Sequence, residues 1–145
     1  MTAAPAVIDT NVVVCGLLTS LAASPTARIV DGMLAGRFRF LLSIELLAEY
    51  RSVLLRPKIR RRHGLSPGEV DVLLTEIATN GAALDVGAPV RGADKKGDDH
   101  LWRILEAAPS AVLVTGDRRL IEKPAEGARV LTPRAFAEVL ASIRK

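Results

Sequence analysis

Two apolar segments of this chain have the pattern of strands that are buried on both faces. Residues Ala6–Ile8 are all apolar, and residues 111–115 are apolar up to the closing threonine. A strand with one face in water alternates apolar and polar residues, whereas a strand covered on both faces is continuously apolar. Because helical segments separate the strands, we predict an α/β fold: a central parallel sheet of about four to five strands with helices on both faces.

Shorter signals indicate the remaining elements. Further strands are expected at residues 38–42, 83–86 and Arg129–Leu131. Helices are expected after the capping residues Ser24, Ser43, Ser66 and Thr132, three of which precede a proline. The first three should end near residues 36, 55 and 80, and another helix should run from Asp98 or Asp99 to about residue 109. The apolar segment 12–18 fits a helix or a strand.

Length and composition limit the class of protein. With 145 residues, the chain has the size of one domain, and we expect a single domain over residues 1–145. The single cysteine, Cys15, excludes an intramolecular disulfide, and its apolar neighbours predict that it is buried. No apolar run approaches the roughly 18 residues that cross a membrane, and no basic segment of a signal peptide precedes Asp9. We therefore expect a cytoplasmic protein.

The charge balance favours a polyanionic partner. The formal net charge is +4, and 15 of the 20 cationic side chains are arginines, whose planar guanidinium pairs well with phosphate oxygens. Aromatic residues make up only 3%, which argues against base stacking as the main mode of binding. The candidate cations for binding a nucleic acid are Arg56, Lys58, Arg60, Arg61, Arg62 and Arg118. A solvated surface segment is an equally good interpretation of the run at 56–62, and Arg118 and Arg119 either contact phosphate or offset nearby acids.

Two acids stand beyond the carboxyl ends of predicted strands. Asp9 follows the first strand, and Asp117 follows the strand at 111–115. Ligands of open parallel sheets bind beyond the carboxyl ends of the strands, so both acids are expected in one crevice if their strands are near neighbours. Each also has a plainer interpretation, Asp9 as a turn or helix cap and Asp117 as a turn residue.

Two predicted helices supply further acids. Glu49 lies roughly 100° from the centre of the apolar stripe that includes Tyr50, and Glu45 lies roughly 140° from it. Glu49 is therefore expected at the border of the core and Glu45 in water, although a solvated Glu49 is also open. On the later helix, Asp98 lies roughly 70° from the stripe centre and Asp99 roughly 170°, and a plain helix cap is the alternative for both.

Clustered carboxylates of this kind suit a divalent cation. Four of them in one crevice repel one another unless some bind protons or a cation binds to the group. Oxygen-only ligands suit Mg²⁺ or Mn²⁺, and such ions activate water and clamp phosphate oxygens. This chemistry needs no histidine, and the chain has only His63 and His100, of which we interpret His100 as a helix-surface residue.

Four motifs, in this order, resemble those of PIN-domain proteins, most of all the bacterial toxin-like proteins related to VapC toxins. They are VIDTN at 7–11, SIELLAE at 43–49 with LLRPK at 54–58, DDHL at 98–101 and LVTGDRRLI at 113–121. The resemblance spans most of the chain. The family often has an Asp-Pro pair shortly before its third acid, where this chain has Asp94-Lys95. The third ligand therefore stays open between Asp98 and Asp99.

The resemblance implies a metal-dependent ribonuclease in which acids hold Mg²⁺ or Mn²⁺ and activate water against an RNA phosphodiester bond. By motif, the catalytic acids and metal ligands are Asp9, Glu49, Asp98 and Asp117, with Asp99 as a possible auxiliary ligand and Glu45 as a substitute for Glu49. Asn11 and Thr115 match positions that support the acids by hydrogen bonding. The resemblance also implies a cognate antitoxin protein and a homodimer.

Other functions fit parts of the pattern. A metal-dependent phosphatase of similar architecture also carries acids at strand ends, although haloacid-dehalogenase-like enzymes have a second aspartate where this chain has Asn11. A dinucleotide-binding fold has a glycine-rich turn after its first strand, which the segment 9–11 lacks. A non-catalytic RNA-binding or partner-binding module on the PIN fold is the remaining alternative, because a fold alone does not establish activity.

Overall fold

A computed structural model of the chain describes residues 4–85 and 99–142. These ranges contain five short strands and eight helices. In chain order the elements are β1 (Ala6–Ile8), α1 (Thr10–Leu18), α2 (Pro25–Ala35), β2 (Leu41–Leu42), α3 (Ile44–Leu54), α4 (Pro57–His63), α5 (Pro67–Asn80), β3 (Ala82–Ala83), α6 (Asp99–Ala107), β4 (Val112–Val114), α7 (Arg118–Glu122), β5 (Arg129–Leu131) and α8 (Pro133–Ser142).

Every strand pair within the described residues is parallel. β4 lies between β1 and β5 in a three-stranded sheet, and β2 pairs with β3 in a second, smaller one. The two sheets meet where Ala6 pairs with Phe40, and the Ala6 N–H donates to the Arg39 carbonyl at 3.0 Å. All residues of β1 and β4 are buried, although successive side chains of a strand point to opposite faces. The sheet is thus covered on both faces, and the predicted α/β class is confirmed.

Four helices form where the capping signals predict them. α2, α3, α5 and α8 begin directly after Ser24, Ser43, Ser66 and Thr132. At the start of α5, the Ser66 hydroxyl accepts from the Glu69 N–H at 3.1 Å, and the Glu69 carboxylate accepts from the Ser66 N–H at 2.8 Å. These contacts satisfy backbone donors that a helix start leaves without an intrahelical partner.

Three helices lie outside the unambiguous sequence predictions. The segment that fitted a helix or a strand is helical, because the Asp9 side chain caps α1. α4 follows α3 after only two residues, because Pro57 prevents α3 from continuing. Pro57 is also the first residue of α4, a position whose backbone N–H has no partner within the helix, so proline is tolerated there. α7 has five residues, which are too few to show the hydrophobic period of a helix in the sequence.

Most strands are shorter than predicted. The strand expected at 38–42 is reduced to β2 and the bridge at Phe40. The strand expected at 83–86 corresponds to β3, which begins one residue earlier and ends at Ala83. Residue 86 lies outside the described residues. β5 has the predicted bounds.

The core packs the strands against the inward faces of the helices. α6 contacts β1 and β4, α8 contacts β5 and α2, and α3 packs against α1 and α5. Cys15 is exposed, so its predicted burial is wrong: in a helix only part of the segment 12–18 faces the core, and Val12–Val14 take that position. Among the described residues, no helix has both the length and the apolar character needed to span a membrane.

Candidate active site

The carboxyl ends of β1 and β4 lie side by side at one edge of the sheet. Ile8 pairs with Val114, and the Asp9 N–H donates to the Val114 carbonyl at 2.9 Å. Asp9 follows β1 directly and caps α1, while Asp117 follows β4 after two residues and caps α7. The two acids that were expected to share a crevice therefore follow neighbouring strands.

Asp9 is buried and accepts hydrogen bonds from neutral groups. Only 8% of the residue is exposed. Its Oδ1 accepts from the Thr10 backbone N–H at 2.8 Å, and its Oδ2 accepts from the Thr115 hydroxyl at 2.7 Å. The Asn11 amide nitrogen lies 3.4 Å from the same Oδ2. These donors fix the orientation of the carboxylate at the sheet edge.

Thr115 and Asn11 join the two strand ends. Thr115 is fully buried, and its hydroxyl donates to Asp9 while it accepts from the Asp117 N–H at 3.0 Å. The Asn11 side-chain oxygen accepts from the Gly116 N–H at 3.3 Å. The two residues predicted to support the acids thus lie between Asp9 and the segment that carries Asp117.

A buried tyrosine fixes the main chain just before Asp9. The Tyr50 hydroxyl donates to the Ile8 carbonyl at 2.5 Å. Burial raises the pKa of Tyr50 well above its usual value, and the charges of Asp9 and Glu49 raise it further, so the hydroxyl keeps its proton. Sequence reasoning placed Tyr50 only in an apolar stripe. The signal for its second role is general: a buried tyrosine hydroxyl requires a hydrogen-bond partner.

Glu49 is linked to Asp9 through Thr10. The Thr10 hydroxyl donates to Glu49 Oε1 at 2.7 Å, while the Thr10 N–H donates to Asp9. His100 Nε2 lies 3.3 Å from the same Oε1. His100 is buried rather than on the helix surface, because α6 packs against α3, and its Nδ1 has no hydrogen-bond partner in the part of the chain described. Sequence reasoning missed the contacts of both Thr10 and His100.

An ion-pair group lies one helical turn away on α3. Arg103 of α6 pairs with Glu45 and also lies 3.2 Å from Asp99. We expected Glu45 to face water, but Arg103 covers its carboxylate. The Glu45 side chain is 37% exposed, close to the 39% of Glu49. With its carboxylate engaged, Glu45 is a poorer substitute for Glu49 as a ligand. Asp98 lies outside the described residues.

Asp117 has a cationic partner in Arg119. Arg119 Nη2 lies 2.8 Å from Asp117 Oδ2, Arg119 Nε lies 3.3 Å from Oδ1, and the Arg119 N–H donates to Oδ1 at 2.9 Å. The hydrogen bond from the Arg119 side chain is the main cause that lowers the pKa of Asp117. Of the two roles considered for the arginines after Asp117, Arg119 therefore offsets the acid. Arg118 lies 3.6 Å from Glu122 instead.

A model of the PIN domain matches residues 5–119 of the chain. The chain belongs to the PIN domain family. The matched segment runs from β1 into α7 and includes Asp9, Glu49 and Asp117. PIN domains have a nuclease-type fold and are generally nucleases. No curated protein matches the chain.

PIN domains typically use divalent metal ions, and the acids at the sheet edge fit that chemistry in kind. Asp9 and Glu49 are oxygen donors joined by Thr10, and oxygen ligands suit Mg²⁺ or Mn²⁺. Within residues 4–85 and 99–142, no three acidic, histidine or cysteine side chains are arranged to hold an ion. Asp117 is engaged by Arg119, so it fits a metal site only when that contact opens.

The predicted basic run of this PIN domain is mostly helical. Arg56 precedes α4, and the exposed cations on α4 are Lys58, Arg60, Arg61 and Arg62. α4 packs against α1 and α3, the helices that carry Thr10 and Glu49. The basic helix therefore lies beside the two helices that contribute Thr10 and Glu49 to the candidate site.

Proposed function

We propose that this PIN domain is a metal-dependent endoribonuclease and the toxin of a toxin–antitoxin pair. The observation that carries the proposal is the chain of hydrogen bonds from Glu49 through Thr10 to Asp9, and from Asp9 through Thr115 to the N–H of Asp117. It links the carboxylates of Glu49 and Asp9 to the main chain of Asp117 at the carboxyl ends of β1 and β4. The nuclease-type fold and the arginine-rich charge support a phosphodiester substrate.

In this proposal the metal ligands are Asp9, Glu49, Asp98 and Asp117, with Asp99 as an auxiliary, and the ion is Mg²⁺ or Mn²⁺. Such an ion would supply Lewis-acid activation of water and charge compensation at the phosphate. The hydroxyls of Thr10 and Thr115 orient the carboxylates. Tyr50 holds the main chain before Asp9, and this contact keeps the first acid in place beside β4.

RNA as the substrate is supported by the motifs and by the charge of the surface. The cations assigned to the RNA backbone are Arg56, Lys58, Arg60, Arg61, Arg62 and Arg118, all of them exposed. Each neutralised phosphate releases counterions, so RNA binding should weaken as salt rises. Glutamine substitutions at Arg60 and Arg61 are expected to lower this salt dependence without changing the metal requirement.

The toxin role, a cognate antitoxin partner, a homodimer and a cytoplasmic location belong to the same proposal. Their support is the likeness of the four motifs to VapC-related proteins. Expression of the wild-type chain in a bacterial host should arrest growth, whereas Asp9→Asn should not. Normal growth with wild-type protein that accumulates in folded form argues against the toxin role.

The ribonuclease proposal is tested by incubating the purified protein with structured or single-stranded RNA in Mn²⁺, Mg²⁺ or EDTA. We expect cleavage with a metal ion, no cleavage in EDTA, and none by Asp9→Asn. Asp31→Asn makes the same charge change on the exposed surface of α2 and should keep the wild-type rate. Cleavage in EDTA, or full activity of Asp9→Asn, contradicts the proposal.

A non-catalytic RNA-binding module is the second candidate, and one observation favours it. The Arg119 guanidinium occupies the carboxylate of Asp117, one of the proposed metal ligands. Such a module would bind RNA equally well in EDTA and after Asp9→Asn. RNA binding without cleavage in any metal ion therefore selects this second candidate.

A further inference from the structure

One acid of the candidate site is paired with a cation from its own segment. The Arg119 guanidinium contacts both oxygens of Asp117, at 2.8 Å through Nη2 and at 3.3 Å through Nε. The Asp117 side chain is 23% exposed and that of Arg119 is 67% exposed. The pair therefore lies at the surface of the site rather than in the core.

The neighbouring arginine shows that this contact is specific to one residue. Arg118 has the same charge and follows Asp117 directly, yet its side chain is 86% exposed and lies 3.6 Å from Glu122. Arg119 instead presents the planar fork that matches a carboxylate in a two-point contact. Arg118 therefore provides a matched control for any effect of charge alone.

A divalent ion and this guanidinium need the same oxygens. Both are cations, and the two oxygens of Asp117 already accept hydrogen bonds from Arg119. We propose that Arg119 competes with the divalent ion for Asp117 and so lowers the metal affinity of the site. This inference rests on the proposed function, because it takes Asp117 as a metal ligand.

The exposure of the pair sets the size of the expected effect. Exposed ion pairs contribute little, and removing one changes an equilibrium constant by at most about fivefold. The competition therefore tunes metal affinity rather than abolishing it. Arg119→Gln should bind Mn²⁺ about two- to fivefold more tightly than the wild-type protein.

The experiment measures the affinity of the full chain for Mn²⁺ alone by titration calorimetry. The proteins are the wild type, Arg119→Gln, Arg119→Lys and the control Arg118→Gln. Lysine keeps the charge but lacks the fork, so Arg119→Lys should give a smaller gain than Arg119→Gln. The control removes the same charge without touching Asp117 and should change the affinity less than Arg119→Gln does.

Equal affinity changes in Arg119→Gln and Arg118→Gln would overturn the competition, because the effect would then be charge alone. Absence of Mn²⁺ binding in every protein would overturn it as well, together with the assignment of Asp117. RNA cleavage is measured on the same samples to separate the two proposals. Tighter binding by Arg119→Gln without RNA cleavage supports the competition and contradicts the ribonuclease.

Discussion

The ends of β1 and β4 are built to the same local plan and differ in what holds their acids. In both, an aspartate follows a buried strand and caps the next helix. Asp9 is buried and accepts from a hydroxyl and a backbone N–H, whereas Asp117 is more exposed and accepts from a guanidinium. Thr115 contacts both ends.

The difference shows that one backbone pattern can place an acid at two degrees of burial. The position of each carboxylate is determined by the strand that it follows and the helix that it caps. The hydrogen-bond donors around the carboxylate determine what the carboxylate can bind. At Asp9 the described donors are neutral, and they orient the carboxylate. At Asp117 a cation already occupies the oxygens and lowers the pKa of the acid. We infer that a metal ion at Asp117 would have to displace Arg119 from its carboxylate.

The largest expected effect comes from neutralising either acid. Asp9→Asn and Asp117→Asn keep the shape and the helix cap but remove the charge, so RNA cleavage in Mn²⁺ should fall at least about 100-fold in each. The measurement is the initial rate of RNA cleavage, with circular dichroism to verify the fold. A large loss at Asp9 with none at Asp117 would break the comparison, because only one end would then act.

The second effect concerns the hydroxyl that joins the two ends. Thr115→Val removes the donor to Asp9 and the acceptor for the Asp117 N–H, while the β-branched shape is kept. Activity should fall about 10- to 100-fold, as is usual for residues that orient metal ligands. Thr75→Val on the exposed face of α5 removes a hydroxyl that donates to the backbone carbonyl of Asp71, and it should leave the rate unchanged. Equal rates for both variants argue against a joint site.

The third prediction concerns stability at the Asp9 end. Tyr50→Phe keeps the buried ring but removes the donor to the Ile8 carbonyl. A buried acceptor left without its partner costs about 1–3 kcal/mol, and urea unfolding should show that loss in the free energy of unfolding. An unchanged unfolding midpoint would mean that the contact does not hold the end of β1.

The smallest expected effect comes from a second exposed ion pair, which joins α3 to α5 and serves as a comparison for the pair at Asp117. Arg51 lies 2.7 Å from Asp71, and their hydrogen bond lowers the pKa of Asp71. A carboxylate whose pKa is lowered by folding stabilises the fold at pH values above its unfolded-state pKa of about 3.9. This contribution is lost as the pH falls through the lowered pKa of the folded state. Asp71→Asn should therefore melt slightly lower than the wild type at pH 7, and the difference should vanish in strong acid. A difference that grows in acid contradicts this sign.

The sequence predicts the fold better than the contacts within the site. Continuous apolar strands and serine caps are local signals, so β1, β4, α3 and α5 could be recognised from the residues alone. α4 and α7 are too short for a hydrophobic period. The site acids follow from strand ends and motifs, but the partners do not: Arg103 reaches Glu45 only because α6 packs on α3. His100 is buried for the same reason.

The most direct test of a joint site is the Mn²⁺ affinity of Asp9→Asn, Asp117→Asn and the double variant, compared with the wild type. If both acids hold the same ion, removing the second should cost far less once the first is gone, because coupled residues are not additive. We predict that the double variant binds Mn²⁺ little worse than the weaker single variant. Losses that simply add would contradict the account, since the two strand ends would then bind independently.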